Sequence, residues 1–388
     1  MELKFKQEEL SFLLLYSICA NEKTEITDKF QILSIENSTD IALLQLGVEV
    51  RFITILKDKN INKDTFVLTY QTQKFSEILK YCFKDDEITI TDTHVNFGKA
   101  SKYTFESFDN TEYLKVDAIM TLLEKSNSCQ KMELFDFEKI NLIKSYLGEN
   151  SQGLDTIGFF DNHFVTTNRT DGSGIVKTKN KIDKNYYFPV MLYQMYNYLK
   201  LPSVIIYDIE DEDIHEMMFK YNDTYLFFSK VDAQLKLDKE GGSDSDIFPN
   251  ILSDKIKKMY YHNIFLTINK EEILRILRKI SAVTSSEFSN RIFISFKEDK
   301  IIIETKDIAE CYEEIKCDIP ESLLNIMLVC GISYSINMIS SIPDKDIIIR
   351  VPDSVDNLYT VCYSDKEESV IFIQNLHSES GYKNNEKV

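Results

Sequence analysis

The sequence predicts an α+β chain built from three tandem copies of a two-helix, antiparallel-sheet domain. Three observations predict it. A strand–helix opening recurs three times, a helix–strand module recurs later in each copy, and β-rich runs fill the spaces between them. Ordered self-similarity of this kind marks a repeated architecture.

The opening module is Leu3-Lys4-Phe5-Lys6-Gln7-Glu8-Glu9-Leu10, followed by Leu13 and Leu14. It returns as Glu133-Leu134-Phe135-Asp136-Phe137-Glu138-Lys139-Ile140, followed by Ile143 and Leu147. The third copy is Phe265-Leu266-Thr267-Ile268-Asn269-Lys270-Glu271-Glu272-Ile273, followed by Ile276, Leu277 and Ile280. Each starts as a short β-rich run and changes to helical periodicity at a Glu, a residue that suits the positive end of a helix. The starts lie about 130 residues apart, the size of one domain.

In the second module, Phe75, Leu79 and Phe83 lead to Ile88-Thr89-Ile90. Met191, Met195 and Leu199 lead to Val204-Ile205-Ile206, and Tyr334, Met338 and Ile342 lead to Ile347-Ile348-Ile349. The apolar residues recur every four positions and the strand follows after five, with no gap in any copy. The runs Phe66–Tyr70, Tyr103–Phe105, Tyr225–Phe228, Arg291–Phe296 and Ser369–Ile373 are rich in β-branched and aromatic residues and predict strands. Polar stretches at Lys125–Ser128 and Lys239–Asp244 predict boundaries, giving domains at 1–125, 126–250 and 251–376 and a polar, disordered tail over 377–388.

Composition narrows the function classes. At 388 residues, with 43% hydrophobic and 28% charged, the chain suits two or three globular domains. Seven Cys without paired spacing fit a reduced compartment better than a disulfide framework. No membrane-length apolar run or signal-peptide core occurs, which predicts a cytoplasmic protein. The net charge of −18 argues against nucleic acid unless a local basic stripe exists.

The repeats and several local motifs resemble the bacterial DNA polymerase III beta subunit, the beta sliding clamp. Lys74-Phe75 with Lys80 and Ile88 resembles the second helix of that family's first domain. Phe164-Val165-Thr166-Thr167-Asn168 resembles its Val-Ala-Thr-Asp strand, and Phe227-Phe228-Ser229-Lys230-Val231-Asp232 its Phe-Thr-Ser-Lys-Leu-Val-Asp strand. Phe248-Pro249-Asn250 is similar to its Phe-Pro-Asp, Ser286-Glu287-Phe288 to its Asn-Glu-Lys-Phe turn, and Val370–Leu376 to its C-terminal peptide. The chain departs from the family at Arg169–Ile175, which is longer and more polar. It departs again at the C-terminus, which lacks the usual Pro and Met and carries twelve extra residues. Such divergence suits a bacteriophage version acting in the cytoplasm of a bacterial host.

The resemblance implies a homodimeric ring with helices inside and sheets outside, encircling duplex DNA without reading its sequence. It implies three further partners: a replicative polymerase, a clamp loader and a second copy of the chain. No cofactor, metal or catalytic residue is expected. Helical spacing puts Arg275, Arg278 and Lys279 opposite the apolar stripe Ile273, Ile276, Leu277 and Ile280. Lys80 and Lys84 are expected to stack opposite Phe75, Ile78, Leu79 and Cys82, and Lys139 and Lys144 to face solvent. Tyr193, Tyr196, Asn197 and Lys200 share a face. With Lys23 and Lys74, the basic residues and Tyr193 form the expected DNA-facing set. The resemblance puts a partner-peptide groove at Thr167, Asn168, Ile175, Pro249, Val370, Ile371 and Phe372, and a dimer edge at Tyr103, Thr104 and Phe105.

Two other readings compete. The first is a metal-dependent nucleic-acid enzyme using the acidic run 208–216, which otherwise reads as an acidic hairpin loop. The second is a three-repeat scaffold that binds no DNA. No His spacing matches HExxH, the Gly172-Ser173-Gly174 run lacks the flanking glycines of a phosphate loop, and most cysteines fall in apolar segments.

Overall fold

The computed structural model describes residues 2–14, 28–47, 50–91, 94–98, 101–105, 108, 111, 113–127, 130–134, 137–144, 156–160, 162–167, 172–179, 186–199, 204–211, 214–221, 224–229, 263–284, 291–306, 310–352 and 358–382. One element order occurs three times. In the first repeat, β1 (Glu2–Lys6) runs into a 3₁₀ turn (Gln7–Leu10). Then come β2 (Lys29–Ser34), β3 (Ile41–Leu46), β4 (Val50–Leu56), β5 (Val67–Gln71), α1 (Thr72–Leu79), β6 (Glu87–Thr91), β7 (Val95–Phe97) and β8 (Lys102–Tyr103). After α2 (Val116–Asn127), the second repeat has β9 (Gln130–Leu134), a 3₁₀ turn leading into α3 (Ile140–Ile143), β10 (Thr156–Phe160), β11 (His163–Thr167), β12 (Gly172–Lys177), β13 (Tyr186–Pro189), α4 (Val190–Leu199), β14 (Val204–Asp211), β15 (Ile214–Tyr221) and β16 (Thr224–Ser229). The third has β17 (Ile264–Asn269), α5 (Lys270–Val283), β18 (Arg291–Lys297), β19 (Lys300–Lys306), β20 (Glu310–Lys316), β21 (Ile326–Gly331), α6 (Ile332–Ser341), β22 (Asp346–Val351), β23 (Thr360–Ser364) and β24 (Val370–Asn375). A short β25 (Gly381–Tyr382) ends the described chain.

The chain divides into two compact units, residues 1–135 with 191–234 and residues 136–190 with 235–388. The first unit holds a four-stranded sheet, β1-β6-β7-β8, and an eight-stranded sheet, β5-β2-β3-β4-β16-β15-β14-β9. The second holds an eight-stranded sheet, β13-β10-β11-β12-β24-β23-β22-β17, and a five-stranded sheet, β20-β19-β18-β21-β25. Every pairing is antiparallel. Each eight-stranded sheet joins four strands of one repeat to four of the next.

In the first unit, α1 lays Phe75 among Phe30, Phe97 and Phe105, with ring centroids 5.0, 5.0 and 5.5 Å away. Phe75 is fully buried, so Phe75→Ala is expected to cost about 3–5 kcal/mol of stability. The check is a lower unfolding midpoint in urea. The opposite face of the eight-stranded sheet carries Leu33, Ala42, Leu44, Ile53, Met218 and Phe227, and α2 covers it with Ile119, Leu122 and Leu123. The sequence pattern predicts no helix here, only a polar boundary from Lys125.

In the second unit, α5 is capped by the Asn269 side chain, which accepts from the Glu272 N–H at 3.2 Å. It buries Ile273, Leu274, Ile276, Leu277 and Ile280, the expected stripe widened by Leu274. A Cβ on Gly174 would sit 2.7 Å from Ile143 Cβ of α3, and one on Gly172 would strike the Ile373 carbonyl oxygen. Gly174 therefore lets α3 pack closely on β12, and Gly172 allows close approach at the β12–β24 seam.

Two expectations are corrected. The tail is ordered through Tyr382: β25 pairs with β21, Arg291 Nη1 meets Glu379 Oε1 at 2.8 Å, and the His377 N–H donates to the Val329 carbonyl at 2.9 Å. The acidic run 208–216 is mostly paired strand, with Glu210 opposite His215 and Asp211 opposite Ile214. No helix among the described residues is long and apolar enough to cross a membrane.

Candidate nucleic-acid interface and open sheet edges

The basic residues fall into distinct groups. Arg275 and Arg278 are exposed on α5, opposite its buried stripe. Lys279 shares that exposed side but is held by Glu313 of β20, with Nζ 2.9 Å from Oε1. Lys74 and Lys80 are exposed at α1, as is Lys144 after α3. Lys139 donates from Nζ to the Lys177 carbonyl at 3.0 Å. Lys23 and Lys200 lie outside the described residues.

Two details of the expected DNA-facing set, at Lys84 and Tyr193, and one of the expected apolar stripe change. The helix α1 ends at Leu79, so Lys84 belongs to the following turn and does not stack on Lys80 along a helix. Phe83, expected on the apolar stripe, is 80% exposed. Tyr193 is buried and is not a surface group; burial raises its hydroxyl pKa, and a hydrogen bond with Asn197 opposes that shift.

All four sheets are open, and two of their end strands, β8 in the first unit and β20 in the second, are each paired on one side only among the described residues. Beside β8 lies a cavity of about 310 Å³ lined by Gln71, Lys74, Glu77, Ile78, Tyr103, Thr104, Phe105 and Phe108. The structure thus brings the expected edge residues Tyr103, Thr104 and Phe105 together with Lys74, a member of the expected DNA-facing set. Gln71, Glu77 and Phe108 carry no sequence signal for this site. Ile78 is half-buried because its side of α1 faces this cavity and not the core. The β20 edge is acidic, with Glu310, Glu313 and Glu314, and Tyr312 is 55% exposed. The Lys300 ammonium 2.7 Å from Glu314 and the Tyr312 hydroxyl hold that carboxylate below its usual pKa.

The expected peptide groove divides by side-chain alternation. Phe372 pairs with Gly174, which faces α3, and Gln374 on the same face accepts from Ser335 of α6 at 2.9 Å. Val370 and Phe372 are therefore core between sheet and helices, a correction to the expected wall. Thr167, Ile175 and Ile371 lie on the opposite face, where the Ser173 hydroxyl donates to Thr167 at 2.9 Å, and all three are buried in the free chain. Asn168 and Pro249 are outside the described residues. No group of three or more His, Cys, Asp or Glu able to hold a metal occurs among the described residues.

No family model and no curated protein matches the sequence. Solved structures do match in fold. A candidate DNA polymerase III beta subunit from Eubacterium rectale aligns with a TM-score of 0.71 and 16% identity, covering 98% of this chain and 99% of that one. The pol III beta of Caulobacter crescentus aligns at 0.72 and 11% identity, over 97% of this chain and all of that one (100%). A DNA polymerase sliding clamp from Pseudomonas aeruginosa aligns at 0.70 and 11% identity, over 97% and 99%. The chain has the three-repeat α+β fold of these DNA polymerase III beta subunits and sliding clamps.

Proposed function

We propose that this chain is a DNA sliding clamp, a non-catalytic ring that encircles duplex DNA and tethers a replicative polymerase. The observation that carries the reading is a pairing rule with one unfilled place. The fourth strand of the first repeat, β4, pairs with the last strand of the second repeat, β16. The fourth strand of the second repeat, β12, pairs with the last strand of the third, β24. The rule leaves β20, the fourth strand of the third repeat, and β8, the last strand of the first, without a seam partner among the described residues, β20 being paired there with β19 alone and β8 with β7 alone. A second copy satisfies both edges, and a head-to-tail pairing that closes gives a ring. The acidic β20 edge suits Lys102 and Lys74 beside β8.

A ring holds DNA by topology, so its wall needs only phosphate contacts that read no sequence and permit sliding. Arg275, Arg278, Lys80 and Lys144 are suited to this, inside a chain whose net charge of −18 repels DNA elsewhere. Polymerase and clamp loader are the proposed protein partners, in the cytoplasm of a bacterial host. They compete for a groove on the face of Thr167, Ile175 and Ile371. Because those three side chains are buried in the free chain, a peptide reaches them only by displacing what covers them. The metal-enzyme alternative is not favoured, because its acidic run lies in a paired hairpin.

The test is topological. Protein loaded on nicked circular DNA by a bacterial clamp loader should co-elute with it in gel filtration and be released when one restriction cut linearises the circle. Release unaffected by the cut, or no loading by any cognate loader, rejects the clamp reading.

A further inference from the structure

The turn after α1 presents two aromatic rings to solvent with no structural reason to do so. Tyr81 is 89% exposed and Phe83 is 80% exposed. Neither ring meets another aromatic ring among the described residues. The turn itself is well tied down. The Tyr81 N–H donates to the Ile78 carbonyl at 3.0 Å, Cys82 N–H to Leu79 at 3.2 Å, and Asp86 N–H to Phe83 at 3.0 Å. Asp86 Oδ2 accepts from the Phe83 N–H at 2.8 Å, and the Asp86 carbonyl accepts from the Gln7 N–H at 3.2 Å, which anchors the turn to the start of the chain. Cys82 turns inward, its Sγ 3.7 Å from the Ile78 carbonyl. A short, anchored turn thus holds two rings outward, with Lys80 and Lys84 exposed on either side. Of the three acids that follow, Asp86 is occupied in the turn and Glu87 is paired with Lys4 at 3.3 Å. Asp85 is exposed and no ion pair among the described residues holds it.

Aromatic faces interleaved with ammonium groups match the chemistry of unpaired nucleobases on a phosphate backbone: rings stack on bases of any sequence, and lysines follow the phosphates. Duplex bases are already stacked and leave no free face, so the partner is single-stranded. We propose that Lys80, Tyr81, Phe83 and Lys84 form a platform for unpaired nucleobases, where single strand leaves the duplex at a primer–template junction. The proposal rests on the clamp reading and adds to it a base contact that topology alone does not require.

The chain has no Trp, so Phe83→Trp creates a single fluorescent reporter at an exposed site. Titration of this full-length variant with a dT oligonucleotide should quench the emission, while a blunt duplex of equal length should quench it far less. Tyr81→Ala with Phe83→Ala should weaken oligonucleotide binding about tenfold with an unchanged salt slope, because no charge is removed. Lys80→Gln with Lys84→Gln should lower the slope instead. Unaltered Trp emission with single-stranded DNA, in protein that still loads on circular DNA, overturns the proposal and points to a protein partner for the rings. Failure of the wild-type protein to load would reject the clamp reading itself, a separate outcome.

Discussion

Tyr103→Cys protein should cross-link to the native Cys311 of a second copy under mild oxidation. The register of the two existing seams leads to this pair. At the first seam Arg51 faces Phe227 and Phe52 faces Leu226; at the second Ser173 faces Ile373 and Gly174 faces Phe372. Ladder positions carried through the third repeat make Glu310 the equivalent of Arg51 and Ser173, because Lys306 faces Glu310 as Leu46 faces Arg51 and Thr167 faces Ser173. Thr104 takes the place of Phe227 and Ile373, so Cys311 falls opposite Tyr103. Side-chain direction agrees. Tyr103 meets Phe97 at 5.4 Å on the side of α1, and Cys311 shares a face with Glu313, which reaches Lys279 of α5. Directly opposed residues of an antiparallel pair have Cα atoms about 4.5–5.5 Å apart, within the span of a disulfide.

A closed head-to-tail dimer has two identical seams. Oxidised Tyr103→Cys protein should therefore give two dimer bands in non-reducing gels, one singly linked and one covalently circular. Cys311→Ala should abolish both, and Thr104→Cys, on the other face, should give far less product. A ladder of trimers and larger species would mean that the edges meet in an open filament. Linkage through Cys317 would mean that the register is wrong.

The fold is legible in the sequence because each repeat states its helices and strands in a local period. Ile273, Ile276, Leu277 and Ile280 name the buried side of α5 without any knowledge of the sheet. Legibility fails where tertiary context decides. Phe83 fits the spacing of Phe75 and Leu79, yet α1 stops at Leu79 and the ring turns to solvent. Tyr193 shares a helical face with Asn197 but is buried, because periodicity cannot say how wide the covered stripe is. The helix α2 carries Val116, Ile119, Met120 and Leu123 at helical spacing, a signal that the polar residues from Lys125 obscure. The wall of the candidate groove is only half legible, for a simple reason. Adjacent strand residues point to opposite faces, and no sequence states which face a helix will cover. The edge strands are least legible, since β8 spans only Lys102–Tyr103 and its partner lies on another chain in the proposed ring.

Charge reversal at Lys80, Arg275 and Arg278 should sharply reduce DNA loading and processive synthesis while leaving the fold and the cross-linkable seam intact. All three are exposed, and such substitutions usually change stability by no more than about 0.5 kcal/mol; at Lys80, the C-cap of α1, an acid adds about 0.3–1 kcal/mol of unfavourable helix-dipole interaction. Lys279 is left out on purpose. Its ammonium holds Glu313 of β20, so Lys279→Glu would set two carboxylates together beside the seam and confuse a DNA defect with a dimer defect. A homodimer doubles the three sites, so direct binding to linear duplex should become much weaker and less salt-dependent. The slope of log affinity against log salt should fall by about 0.9 for each phosphate that is no longer neutralised. Retention should behave differently: rings that do load on circular DNA should stay as long as wild-type rings, because exit requires a seam to open and not an ion pair to break. Equal loading by the variant and the wild type would remove these residues from the inner wall. A shortened lifetime on the circle, with a normal seam by cross-linking, would mean that ion pairs with phosphate and not ring closure hold the DNA.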